Sequence, residues 1–389
     1  MPDEKTIQMM FVGDTMFNAE FLLPPHDNEE PDYYLSEFKD LFKEADVVCA
    51  NLECTLFREG SPLWPNAGFQ LYSPPDKMLP LLKYMNVSVL SMSNNHVYDY
   101  GIASLLKTKD LLGEHYIASF GGGKDELESR QPLLIEKKGL RLGFLGYSMH
   151  QTDRAPLLIF AGTRSQQTPK NAASSAVEIM TSDIQSLRST ANIVIVSLHW
   201  GYEYFKYPSP AQIELAHTLI DAGADIIVGH HPHCVQGIEK YKAGTIFYSL
   251  GNFFFCNHHR RREYPTYGNE YIVALVDYCE GCFNVEAIVG IMDFSNRMIL
   301  NINDCRARKR LFELSLRLAS DGYASFWNDY RRRTNRYLKH LKVINMLRFA
   351  ISPAYYRSVY NKVRKRGIKY GMDRVHKKMR AISRALRSR

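Results

Sequence analysis

Three histidines, His230, His231 and His233, fall within four positions of the stretch VGHHPHCVQG, directly after the apolar run ADIIV. Imidazole is the side chain most often used as a metal ligand. His231 and His233 are one residue apart, so in an extended segment both side chains point to one side. The same arrangement recurs along the chain, with an apolar run ending in residues that can do chemistry. IQMMFV is followed by Asp14, ADVVCA by Asn51 and Glu53, and VSVLSM by Asn94, Asn95, His96 and Asp99. NIVIVSL is followed by His199 and Glu203, and TIFYSL by Asn252.

Any one of these residues could be a helix cap, a turn residue or a hydrogen-bonded loop histidine. Their coincidence at successive run ends argues for one shared site. Imidazole and carboxylate together are the usual ligands of catalytic zinc, manganese or iron. Two such ions about 3.5–4 Å apart clamp a phosphoryl group and activate a bridging water. A carboxylate must then bridge them, and Glu53 is the natural candidate.

The elements that must position these residues are legible in outline. Several of the runs are continuously apolar rather than alternating, as in strands covered on both faces. Helical segments lie between some of them: PPDKMLPLLKYM before the third run, and SPAQIELAHTLIDAG before the sixth, with Gly223 as a stop. This alternation predicts a layered α/β core. YIVALVDY and FNVEAIVGIM predict a hairpin that closes it, and the C-x-x-C of Cys279 and Cys282 then falls in the hairpin turn. In an open α/β sheet ligands bind beyond the carboxyl ends of the strands, where the polar clusters fall. GGGKDE at 121–126 lacks the order of a phosphate loop and reads as a plain turn. Trp200 and Glu203 either line the cleft or pack beneath it. Asn252 is placed to hydrogen-bond a substrate or a ligand loop.

Charge divides the chain. Residues 1–305 hold 24 Lys and Arg against 37 Asp and Glu, a net of −13, and residues 306–389 hold 25 against 4, a net of +21. The sequence therefore predicts one domain over 5–300 and a basic helical C-terminal extension over 306–389. No stretch reaches the roughly 18 apolar residues that span a bilayer. The start carries no signal-peptide pattern, and the seven cysteines are odd in number and scattered, so the expected location is cytoplasmic. The segment 354–389 is basic enough to dock on an anionic membrane surface, which would put the protein at the inner face of the membrane. Nucleic acid is not an expected partner, because no DNA- or RNA-binding motif is present.

Taken together, GDTMF, ADVVCANLECTL, SMSNNHVYDYG, SLHWGYEY, LIDAGADIIVGHHPHCVQGIE and YSLGNFFF resemble the CapA family in kind and order. That family is associated with capsule and poly-γ-glutamate synthesis and belongs to the calcineurin-like metallophosphoesterase superfamily. The resemblance covers about residues 7–256. It implies an α/β fold layered α-β-β-α, a metallophosphoesterase-like sandwich, with one or two divalent transition metal ions (Mn, Fe or Zn) at one edge. It implies Asp14 as the first aspartate ligand, Glu53 as the bridging carboxylate, and Asn95, His199, His231 and His233 as further metal ligands. His96 resembles the residue that protonates the leaving group. Asp99 either orients His96 or begins a helix. His230 has no role in this pattern.

Two departures stand out. The wider superfamily opens with Asp-x-His, whereas position 16 is Met16, and the bridging position holds Glu53 rather than Asp. The function implied is a metal-dependent hydrolase of the phosphoesterase kind, acting on a phosphoester or an anionic polymer intermediate. The alternative is a non-catalytic polymer-binding component of a capsule or polyglutamate assembly.

Overall fold

The structure, a computed structural model, describes residues 6–17, 31–59, 70–151, 156–159, 172–255, 266–293, 299–301 and 305–350. The first strand, β1, spans Ile7–Met16. The helices α1 (Pro31–Leu35) and α2 (Lys39–Glu44) lead to β2 (Val47–Leu52), and α3 (Pro75–Tyr84) leads to β3 (Val87–Ser91). Then come α4 (Ile102–Glu114), β4 (Ala118–Phe120), α5 (Glu126–Arg130), β5 (Leu133–Lys137), β6 (Leu140–Gln151) and β7 (Pro156–Ile159). The long helix α6 (Ala172–Arg188) precedes β8 (Ile193–His199), and α7 (Pro210–Asp221) precedes β9 (Ile226–His230). Short strands β10 (Ile238–Tyr241), β11 (Gly244–Phe247) and β12 (Asn252–Phe255) are followed by the hairpin of β13 (Glu270–Cys279) and β14 (Cys282–Asp293). The elements close with β15 (Ile299–Asn301), α8 (Cys305–Leu318) and α9 (Tyr323–Ala350).

Among the described residues these strands form two sheets. One runs β15-β14-β13-β1-β2-β3-β4, with β12 also paired to β1, and the other runs β10-β11-β9-β8-β6-β5, with β7 on β6. The inner members, β1 to β4 and β6, β8, β9 and β11, pair in parallel. Parallel pairing needs a crossover, and most of these crossovers contain a helix.

The burial pattern separates three apolar layers. Odd positions of β1 (Ile7, Met9, Phe11) meet Phe144, Ile193, Ile195 and Ile226 between the sheets. Even positions (Met10, Val12) face outward, packing with Phe38, Phe42, Leu82 and Leu105 from the first set of helices. On the far side, Val194, Val196 and Ile227 pack with Met180, Ile184 and Leu219 of α6 and α7. The layering is therefore helix, sheet, sheet, helix, the sandwich that the resemblance implies. Strands buried on both faces explain why the apolar runs are continuous.

The chain separates into two compact units, the first comprising 1–258 and 266–324, the second 259–265 and 325–389. The abrupt change of charge after residue 305 falls inside the first unit. Helix α8 buries Ala307, Leu311 and Leu314 in the layer between the sheets, and Arg310 pairs with Glu270. The described part of the second unit is the remainder of α9, and the segment 354–389 lies outside the described residues. No helix among the described residues is long and apolar enough to cross a membrane. Cys279 and Cys282 pair across the β13–β14 hairpin, with Glu280 and Gly281 both at positive φ in a tight turn.

Candidate metal centre

The register of the first sheet places three polar side chains in a row. Asp14 pairs with Asn51 near the carboxyl end of the parallel strand β2 and with Asn252 at the start of β12. Gly13 makes this approach possible, because a Cβ there would sit 2.1 Å from the carbonyl oxygen of Gly251. Instead the Asp14 N–H donates to that carbonyl at 3.0 Å. In the second sheet His199 ends β8 opposite His230 at the end of β9.

The two edges meet. The N–H of His231 donates to Asp14 Oδ2 at 3.3 Å. Asn95 Oδ1 lies 2.8 Å from His199 Nε2, and His231 Nδ1 lies 3.1 Å from the same nitrogen. Glu53 Oε1 is 3.8 Å from His199 Nε2 and 3.6 Å from His233 Nε2. Asp14, Glu53, Asn95, His199, His231 and His233 thus converge on one place. Asp14, Glu53 and His199 present donor atoms within 4.8 Å of one another, and all three are buried.

His231 and His233 arrive by a different route from the extended segment expected for them. The strand ends at His230, and His231 and His233 take left-handed conformations with φ of 92° and 52°. Non-glycine residues rarely hold such angles, which cost about 1–3 kcal/mol and recur at functional sites.

The surrounding hydrogen bonds hold the ring of donors in place. Asn51 Nδ2 donates to Asp14 Oδ1 at 2.8 Å. Asn94 Nδ2 donates to Asn51 Oδ1 and to the carbonyl of Leu52, and Asn94 Oδ1 accepts the N–H of His96. His233 Nδ1 donates to Asn252 Oδ1 at 2.8 Å, so Asn252 serves a ligand loop. Asp99 Oδ2 lies 2.8 Å from His96 Nδ1, in a turn that precedes α4, so it orients the imidazole and does not begin the helix. The indole of Trp200 donates to the carbonyl of Tyr248 and stacks on that ring, fully buried beneath the site. His230 is also drawn in, with Nδ1 3.3 Å from Asp14 Oδ1. Met16 packs in the apolar layer of the first helices. Asn51, Asn94 and His230 were visible as polar residues near run ends. Their roles depend on strand register, which no local spacing reveals.

Burial and charge set the protonation states. Burial opposes ionisation of Asp14, but the imidazoles of His230 and His233 more than offset it and hold the carboxyl well below the usual range. Burial pushes His199 well down, with His231 adding to the effect, and pushes His231 down to about 4. Both are neutral imidazoles with a lone pair to give. For His233 the carboxylates of Glu53 and Asp14 overcome burial and raise the imidazole to about 10.

The donor set fits a divalent metal. Both carboxylate oxygens of Glu53 are buried and have no hydrogen-bond donor. A buried carboxylate without partners is costly, and a cation in the ring of nitrogens around it removes that cost. Nitrogen and oxygen ligands at about 2.0–2.2 Å from one ion lie roughly 2.8–3.6 Å apart, the lower end octahedral and the upper tetrahedral. The spacings of Asn95, His199 and His231, 2.8 and 3.1 Å, fall in that range.

The family described as bacterial capsule synthesis protein PGA_cap matches residues 8–257, which hold every residue of this centre. The chain belongs to that family. Similar proteins include the capsule biosynthesis protein CapA of Bacillus anthracis, 30% identical over 258 residues, covering 65% of this chain and 61% of that protein. The PGA biosynthesis protein CapA of Bacillus subtilis (strain 168) is 31% identical over 257 residues, covering 65% and 64%. The matched segment spans less than two thirds of either relative. Among solved structures, a hypothetical protein from Thermus thermophilus is similar at a TM-score of 0.43 and 16% identity, over 73% of this chain and 98% of that one. The basic segment beyond residue 306 lies outside the PGA_cap match.

Proposed function

We propose that this member of the PGA_cap family is a metal-dependent hydrolase of the phosphoesterase kind, acting on a phosphoester or an activated intermediate of an anionic polymer such as poly-γ-glutamate. One observation carries the reading: the buried, donor-less carboxylate of Glu53 inside a ring of imidazoles. Asp14, Glu53, Asn95, His199, His231 and His233 would hold one or two divalent ions of manganese, iron or zinc. Bound there, the metal supplies charge stabilisation of the phosphoryl group and activation of water.

The chain's own residues supply the rest. His96 is partly exposed, with 17% of its side chain open, and its Nδ1 is held by Asp99. That leaves Nε2 to give a proton to the leaving oxygen. Asn51 and Asn94 hold the carboxyl-end loops of β1, β2 and β3 in register, so the reacting groups need not reorganise.

The test is hydrolysis of bis(p-nitrophenyl) phosphate by the purified full chain, stripped of metal and reloaded with manganese, iron or zinc. Metal-dependent turnover that is lost in Glu53→Gln supports the reading. Tight metal uptake without hydrolysis of any phosphoester would favour the polymer-binding alternative.

We also propose that the segment 354–389 docks on an anionic membrane surface. Its support is compositional, the +21 net charge of residues 306–389.

A further inference from the structure

His230 is the one histidine of the VGHHPHCVQG stretch to which the reading above gives no task. Its position is nonetheless well defined. Along β9, Ile226 and Val228 face the layer between the sheets, and Ile227 faces the outer helices. By strand alternation His230 continues the inner face, toward the first sheet. The contact agrees, since Nδ1 of His230 lies 3.3 Å from Oδ1 of Asp14 on β1. The ring is 3% exposed.

That nitrogen has no hydrogen-bond partner, although Asp14 Oδ1 lies only 3.3 Å away. The oxygen it faces is already served by the amide of Asn51 at 2.8 Å. Buried polar atoms are nearly always paired, so an orphaned imidazole nitrogen beside a carboxylate oxygen needs an explanation. Two donors facing each other at about 2.8–3.6 Å without bonding are spaced like two ligands of one ion. The other imidazole on the Asp14 side is His233, whose Nδ1 lies 3.3 Å from Asp14 Oδ2. The strand that carries Asp14 adds none, because position 16 is a methionine, buried in the apolar layer of the first helices. Among the other imidazoles, His199 and His231 face each other at 3.1 Å on the Asn95 side.

We propose that His230 is a fourth imidazole ligand of the centre, binding through Nδ1 on the Asp14 side. The inference rests on the metal-dependent reading above and extends it with a residue outside that reading's ligand set.

The test uses the full chain, stripped with a chelator and titrated with Co²⁺. In the cobalt-loaded wild type, four paramagnetically shifted imidazole N–H resonances are expected, one each for His199, His230, His231 and His233. Three would overturn the inference. In His230→Leu one resonance should disappear, and the affinity for one equivalent of cobalt should fall by more than the 10–100-fold typical of losing a residue that only supports a ligand. An unchanged set of resonances with a loss within 10–100-fold would make His230 a support for Asp14 and overturn its role as a ligand. His230→Asn, closer in polarity, covers the case in which the leucine variant does not fold, and the wild-type count decides without any variant. A wild type that takes up no cobalt would sink the metal-dependent reading itself. Cobalt bound with three resonances would sink the His230 assignment alone.

Discussion

Oδ2 of Asp99 lies 2.8 Å from Nδ1 of His96 and also accepts the N–H of Leu71 at 2.6 Å. The carboxylate is therefore fixed by the backbone before it fixes the ring. A general acid held in this way contributes about 10²–10⁴-fold to rate. His96→Ala should keep its metal and lose activity within that range on a substrate with a poor leaving group, with a smaller loss for an activated nitrophenyl ester. Asp99→Asn should fall between the wild type and His96→Ala. Loss of metal together with activity in His96→Ala, measured by elemental analysis, would make His96 a ligand instead.

Asn252 supports His233 by two hydrogen bonds, one to the ring and one to its carbonyl, and ties to Gly268 by a third. Its Oδ1 accepts from His233 Nδ1 at 2.8 Å, and its Nδ2 donates to the carbonyl of Gly268 at 3.2 Å. Removing the acceptor should let the ring turn, and a loss of 10–100-fold in metal affinity is expected for Asn252→Leu. Asn252→Asp keeps the acceptor and loses the donor, so it should bind metal almost as the wild type does. Equal losses in the two variants, measured by competition with a chelator of known affinity, would show that the role is scaffolding of the loop.

Much of this centre could be read before any fold was known, and the reason is physical. Strands covered on both faces must be continuously apolar, so the polar residue that ends each run marks the sheet edge where ligands bind. Asp14, Glu53, His199 and the histidine cluster were found in this way. What local spacing hides is register and backbone hand. Asn51 meets Asp14 because β1 and β2 pair as they do, and His231 and His233 converge through two left-handed residues where an extended segment was expected. The charge step after residue 305 falls inside the first compact unit for a related reason. Charge reports the exposed face of α8, while its buried face, Ala307, Leu311 and Leu314, decides where the helix packs.

Metal affinity should rise with pH. In the metal-free protein, Glu53 and Asp14 together overcome burial and hold the proton on His233 up to about pH 10. Burial pushes the Glu53 carboxyl well up, so the Glu53–His233 pair keeps at least one proton that a metal must displace. An imidazolium has no lone pair for a metal, so filling the site expels a proton. Below pH 10 each expelled proton makes affinity about tenfold tighter per pH unit. Isothermal titration in buffers of different ionisation enthalpy between pH 6.5 and 8.5 should report at least one proton released per filled site. A pH-independent affinity over that window would contradict these protonation states.

The basic tail makes a separate prediction. Sedimentation with vesicles of increasing anionic lipid content should retain the full chain and release a chain truncated after Pro353. Polybasic segments gain about 1 kcal/mol per Lys or Arg near an anionic leaflet, and added salt screens that gain. Equal binding by both chains, or binding that salt does not weaken, would remove the electrostatic anchor.

The most direct test of the account is the metal content of the purified full chain after exposure to manganese, iron or zinc and removal of free ions. The donor-less Glu53 carboxylate and the neutral His199 and His231 predict one or two tightly held ions per chain, with a sharp loss in His231→Ala. A folded wild-type chain that retains none of the three metals, or a His231→Ala chain that retains as much as the wild type, would contradict it.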